Sequence, residues 1–231
     1  MNNKLDIDQI LVYLILLHLI FVYFKCKNNQ EKFTTFSKTQ FLGNEPKDVY
    51  EKGLDSRVKK IYDKISKIDF PNIDETKKEV EILIRYQNTK DLLKHKIQAI
   101  KELHFEKDFE ELKVEFKDRE KIDEFFNITG NPILFKLKVD YNRIRPSYFD
   151  KRVKAIISVP LHPSYPSGHS FQAYFIAYSL IKKYPNKKSF YLKYAKRVAQ
   201  NREIMGLHYP SDSDYGKKLA HELIEYTNFK L

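Results

Sequence analysis

In the stretch "NREIMGLHYPSD", Asn201 to Asp212, a histidine stands four residues ahead of an aspartate across a Tyr-Pro step. Pro210 and Ser211 open a helix, which puts Asp212 in its first turn and within hydrogen-bond reach of His208. An imidazole held in this way has one fixed tautomer and one free ring nitrogen, which is what a nucleophile needs. A second histidine, His169, follows "PSYPSG", and Phe171, Tyr174, Phe175, Tyr178 and Ile181 then recur at helical spacing. A helix therefore starts near Ser167. Its unpaired N–H groups, the close approach allowed by Gly168 and the hydroxyl of Ser167 suit an anion such as phosphate. His169, in the first turn, sits at the edge of that anion site, within reach of a leaving-group oxygen.

Cations converge on the same chemistry. Arg202 lies on the apolar face traced by Tyr191, Tyr194, Ala195, Val198 and Met205, on a helix that should end at Gly206. A guanidinium on such a face demands an anionic partner. Lys138 and Arg145 stand seven residues apart, and Pro146 pushes Arg145 out of the helical region. A helix should end between them, leaving both cations free to point into one pocket. His162, in "LHPSYPSGH", reads as an ordinary turn histidine in preference to a pocket-lining one, and His18, His95, His104 and His221 read as structural or exposed.

Taken together, Lys138 with Arg145-Pro146, then Pro166-Ser167-Gly168-His169, then Arg202, His208 and Asp212 resemble, in order and spacing, the three-part signature of the type-2 phosphatidic acid phosphatase superfamily. That superfamily also contains bacterial class A acid phosphatases and vanadium-dependent haloperoxidases. The resemblance spans about 75 residues, Lys138 to Asp212. It departs from the family pattern at Asn201, where the third block normally begins with serine.

The resemblance implies an all-α helical bundle and metal-independent hydrolysis of phosphate esters: a phosphomonoester, a lipid phosphate or an isoprenoid diphosphate. His208 would be the nucleophile, Asp212 its orienting partner and His169 the general acid. Lys138, Arg145, Ser167, Gly168 and Arg202 would hold the phosphoryl oxygens, and neither a metal nor an organic cofactor would be needed. Two other readings use the same cage, a vanadium-dependent haloperoxidase and a catalytically silent, membrane-tethered phosphate-binding protein.

The elements that must carry these residues are helical throughout. An amphipathic segment runs from about Lys47 to Ile68. Asp74 is a candidate N-cap for one long helix with apolar positions Val80, Leu83, Ile84, Leu92, Ile97, Ile100 and Leu103. A further helix covers Asp108 to Phe126, and "NITGNP" should break it. No alternation long enough for a sheet appears.

Ahead of these helices lies "ILVYLILLHLIFVYF", residues 10–24, apolar all round apart from His18. At about 1.5 Å per residue it spans roughly 22 Å, against roughly 30 Å for a hydrocarbon core. With Asp6 and Asp8 before it and "FKCKNN" after it, the run reads as an uncleaved single-pass membrane anchor rather than a signal peptide. Residues 1–30 would then be anchor and start of linker, with 31–231 the helical phosphatase domain. Lys25, Lys27 and Lys32 beyond the run place that domain in the cytoplasm by charge bias.

Lysine and arginine outnumber aspartate and glutamate by 42 to 31. The excess favours anionic partners, but the basic residues are dispersed, which argues against nucleic acid. The single cysteine, Cys26, rules out an internal disulfide. No feature of the sequence specifies an oligomeric state.

Overall fold

Gly168–Lys183 is the central helix, because its apolar residues point in every direction. Phe171, Ala173, Tyr174, Phe175, Ile176, Ala177 and Leu180 are all buried, so this helix needs partners on several sides. The computed structural model describes residues 54–102 and 106–231. Within them every regular element is helical: α1 (Ser56–Tyr62), α2 (Ile73–Gln87), α3 (Leu92–Lys101), α4 (Glu106–Glu111), α5 (Phe116–Phe125), α6 (Asn131–Tyr141), α7 (Pro146–Phe149), α8 (Gly168–Lys183), α9 (Lys188–Ile204) and α10 (Pro210–Thr227). The chain is all-α in this region, as the sequence implies.

Helix α8 packs along both α9 and α10, and α9 also meets α2 and α3. The core on its other side is aromatic. Phe125 stacks on Phe175 with ring centroids 4.4 Å apart, and Phe126 meets Phe171 edge-on at 5.7 Å. Burying each such ring contributes on the order of 1.5–3 kcal/mol, so the central helix is held on this side independently of any polar contact.

Several boundaries differ from those expected. The cap of α2 is Asn72 rather than Asp74, and it forms a reciprocal capping box with Glu75. The long helix expected from Asp74 onward is two helices, because the chain turns at Asn88–Asp91, where Asn, Thr and Asp offer the backbone competing side-chain bonds. The segment expected as one helix over Asp108–Phe126 is also two, parted at Lys113, which takes a positive φ of 54°. Conversely "NITGNP" breaks nothing. A π-helical turn, Phe126–Gly130, carries the chain from α5 straight into α6, and Pro132 is accepted in the first turn of α6, where its missing N–H costs little. Of the segment expected over 47–68, the described part forms only the short α1.

Among the described residues no helix is long and apolar enough to cross a membrane. The apolar run at 10–24, the anchor expected over 1–30 and the linker after it lie outside the described residues, as do Leu103 and His104.

Candidate active site

The three motif blocks are tied together by the backbone. Helix α6 ends at Tyr141, and Asn142 turns the chain in the left-handed region at φ 46°, releasing Arg143 to Arg145 as an extended strip that Pro146 closes. Ser164 N–H donates to the carbonyl of Arg143 at 2.9 Å, joining the first block to the second. Ser167 N–H donates to the carbonyl of Asp212, also at 2.9 Å, joining the second to the third. Between Ser164 and Ser167 the Tyr165–Pro166 bond is cis.

Gly216 makes the last of these joints possible. A Cβ there would meet the Ser167 carbonyl at 2.7 Å, so α10 can lie against the start of α8 only where the side chain is missing.

These blocks enclose a cavity of about 280 Å³. Lys138, Arg145, Gly168, His169, Arg202 and His208 all line it, with Leu134, Phe135, Ile157 and Leu207 as its apolar wall. His162 lines it too, which corrects its reading as an ordinary turn residue. Ser167 is not on the wall; it is the N-cap of α8, and its hydroxyl accepts from Ser170 N–H at 3.4 Å.

His208 has a defined tautomer. Its Nε2 faces Arg145 Nη1 at 3.0 Å, and its Nδ1 faces Asp212 Oδ2 at 3.2 Å. A guanidinium can only donate, so Nε2 must accept and the proton must sit on Nδ1, donated to Asp212. Burial, and then the charges of Arg145 and Lys138, hold the imidazole's pKa well below its ordinary value. His208 is therefore neutral at pH 7, with its Nε2 lone pair held by Arg145.

Arg145 is almost wholly buried, and burial draws its pKa down to about 10, so it stays charged at neutral pH. Besides His208 it reaches the carbonyls of His162 at 3.1 Å and Leu207 at 2.8 Å. Its Nη2 lies 3.1 Å from His162 Nδ1. Since Arg145 cannot accept, this Nδ1 accepts, and its 3.2 Å approach to the Pro163 carbonyl is a contact without a proton. His162, too, is held well below the usual histidine range, first by burial and then by Lys138 and Arg145.

The other two cations are engaged by carbonyls. Lys138 Nζ donates to Pro163, Ser164 and Pro166 at 2.9, 3.2 and 2.6 Å, so it clamps the loop that presents His169. Arg202 Nη2 donates to the carbonyls of Ala99 and Glu102, each at 2.9 Å, with the Glu102 carboxylate 3.8 Å away. Glu102 supplies the anion that a buried Arg202 demands. Asn201, the departure from the family pattern, donates to that same carboxylate at 2.9 Å and meets His95 Nδ1 at 3.1 Å, so the amide is satisfied behind the cavity.

Sequence reasoning missed Arg143 and Glu79. Arg143 Nη1 donates to Asp212 Oδ1 and Ser211 Oγ at 2.7 and 2.6 Å, and Nη2 donates to Glu79 Oε2 at 2.7 Å. The guanidinium also lies 3.9 Å from the centre of the Tyr209 ring. Burial opposes its charge, but Asp212 and Glu79 outweigh burial and hold its pKa above the ordinary value. Glu79 further accepts from Ser211 N–H at 2.7 Å, fixing the first turn of α10. The signal was present: Thr76, Glu79, Val80 and Leu83 share one helical face, so an acid was being buried.

No protein-family model matches the chain, and no curated protein matches it.

Proposed function

We propose that this chain is a metal-independent phosphatase of the type-2 phosphatidic acid phosphatase kind, hydrolysing phosphate esters through a phosphohistidine. The observation that carries the reading is the pairing at His208: a neutral imidazole whose Nδ1–H is donated to Asp212 and whose Nε2 accepts from Arg145, in the wall of a cavity that Lys138, Arg145 and Arg202 also line.

In this reading the phosphoryl group enters beside Arg145, whose Nη1 exchanges the His208 lone pair for a non-bridging oxygen. Arg202 and the positive field of Lys138 offset the remaining charge, and the first N–H groups of α8, at Gly168 and His169, add donors that need no reorganisation. His208 Nε2 attacks phosphorus in line, and Asp212 stabilises the imidazolium that forms. His169 gives a proton to the departing alkoxide and takes one back from the water that cleaves the N–P bond. A cavity of about 280 Å³ accommodates the phosphate and the nearest part of the alcohol, with any longer chain leaving through its mouth.

The test is phosphate release from soluble and lipid esters in excess EDTA, with and without vanadate. Vanadate adopts the geometry of phosphoryl transfer, so a site complementary to the transition state binds it more tightly than substrate. EDTA-resistant release, competitively inhibited by vanadate, is expected. Activity that EDTA removes and a divalent metal restores would contradict the reading. Peroxide-dependent halide oxidation on adding vanadate would favour a haloperoxidase instead, and no turnover of any ester would favour a silent binder.

A further inference from the structure

Helix α3 faces the wrong way for a helix of a soluble domain. Its inward side carries His95, which meets Asn201, the buried Ala99, and at its end Glu102, bonded to Arg197 and Asn201. These contacts fix its rotation. Three of its aliphatic residues consequently point outward: Leu93, Ile97 and Ile100 are 68%, 49% and 44% exposed. At about 100° per residue the three form one ridge, with Lys96 along one flank and Lys94 and Lys101 along the other. Lys90 extends the positive margin from the preceding turn, and Asp91 is the one acid in the segment 90–101.

We propose that this face of α3 docks on an anionic lipid surface, with the aliphatic ridge entering the acyl boundary and the lysines meeting the headgroups. An aliphatic ridge bordered on both sides by lysine stems is the pattern of a helix lying in a membrane interface. A second copy of the chain is a poor occupant, since a two-fold contact would set lysine against lysine. The lysines surround a convex ridge rather than a groove, which suits a fluid surface better than a folded acidic partner. Arg202 of the candidate active site hangs from the carbonyls at the end of the same helix, so the lipid would lie on the opposite side of α3 from that arginine. The docking surface stands independently of the phosphatase reading.

The chain contains no tryptophan, so a single one reports locally. The full chain carrying Ile97→Trp is mixed with vesicles of phosphatidylcholine, either pure or with one part in three phosphatidylserine. The expected result is a blue shift and loss of acrylamide quenching on the anionic vesicles alone, reversed by high salt. Adding Lys94→Glu and Lys101→Glu lowers the inserted-to-free ratio by on the order of thirtyfold or more, since each surface lysine contributes on the order of a fivefold factor. Leu93→Trp gives a second probe on the ridge if the first variant does not fold, and Phe190→Trp, exposed on α9, is the control that stays unshifted. Unchanged emission on anionic vesicles, an equal shift on neutral vesicles or a shifted control overturns the proposal. So does a shift that appears without lipid, either with rising protein concentration or on adding polyglutamate; these outcomes assign the face to a second copy or to an acidic polypeptide.

Discussion

Replacing Arg143 by glutamine removes a cation that Asp212 and Glu79 share. Both carboxylates are buried, Asp212 completely, and both accept from this guanidinium at 2.7 Å. Breaking a buried pair by deleting one partner costs about 3–5 kcal/mol, because the surviving charge is left without compensation. The stacking over Tyr209 is lost as well. A total loss of about 4 kcal/mol lowers the urea midpoint by about 2 M at an m-value of about 2 kcal/mol per molar, read by far-UV circular dichroism. Adding Glu79→Gln to this variant should cost less than Glu79→Gln alone, because one uncompensated charge disappears; the coupling is about 0.5–3 kcal/mol. In whatever fraction stays folded, Asp212 loses the guanidinium that fixes its Oδ1, so its other oxygen holds His208 Nδ1 less firmly and kcat falls. A loss below about 1 kcal/mol with an unchanged kcat would refute the view that Arg143 holds the His208–Asp212 pair in place.

Other consequences are open to direct measurement. His169→Ala should slow esters with poor leaving groups far more than activated aryl phosphates, since only an alkoxide needs the proton; equal losses on both would remove His169 from that role. Glu203, 8% exposed, has its carboxyl pushed up to about 7, chiefly by burial. The folded state therefore holds a proton that the unfolded state releases above about 4.5, and this contribution to stability declines as pH rises from there through 7. Glu203→Gln should accordingly gain stability relative to the parent between pH 5 and pH 8, by up to roughly 3 kcal/mol, and a difference that does not change with pH would contradict it.

The local placement of the candidate site residues was legible because the constraints on it are local. Pro146 sets the backbone of Arg145, Ser167 and Gly168 set a helix start, and His208 with Asp212 needs only four residues and one proline to come together. What the sequence obscured depends on tertiary packing. Arg143 looked like one more cation in a basic chain until Glu79, which is 64 residues away, supplied its partner. Lys138 was expected to point into the pocket and does line the cavity, but the three carbonyls its ammonium bonds belong to a loop that only the folded chain brings near. Helix continuity was misjudged in both directions. A periodic apolar pattern ran across Asn88–Asp91, where the chain turns, and the proline and glycine of "NITGNP" looked like a stop, where a π-turn lets the helix continue. The same periodicity put Ile97 and Ile100 in one apolar series with Val80 and Leu83, whereas His95 and Glu102 claim the inner face of α3 and turn the two isoleucines to solvent.

In the proposed mechanism phosphorus bonds covalently to His208 Nε2. Rapid-quench mixing of the chain with a ³²P-labelled ester in excess EDTA detects that bond. A burst of labelled protein, stable in alkali and labile in acid, is expected, with the label on the peptide containing His208 and absent from His208→Ala. Steady phosphate release with no labelled protein at any quench time, or a label that persists in His208→Ala, would contradict it.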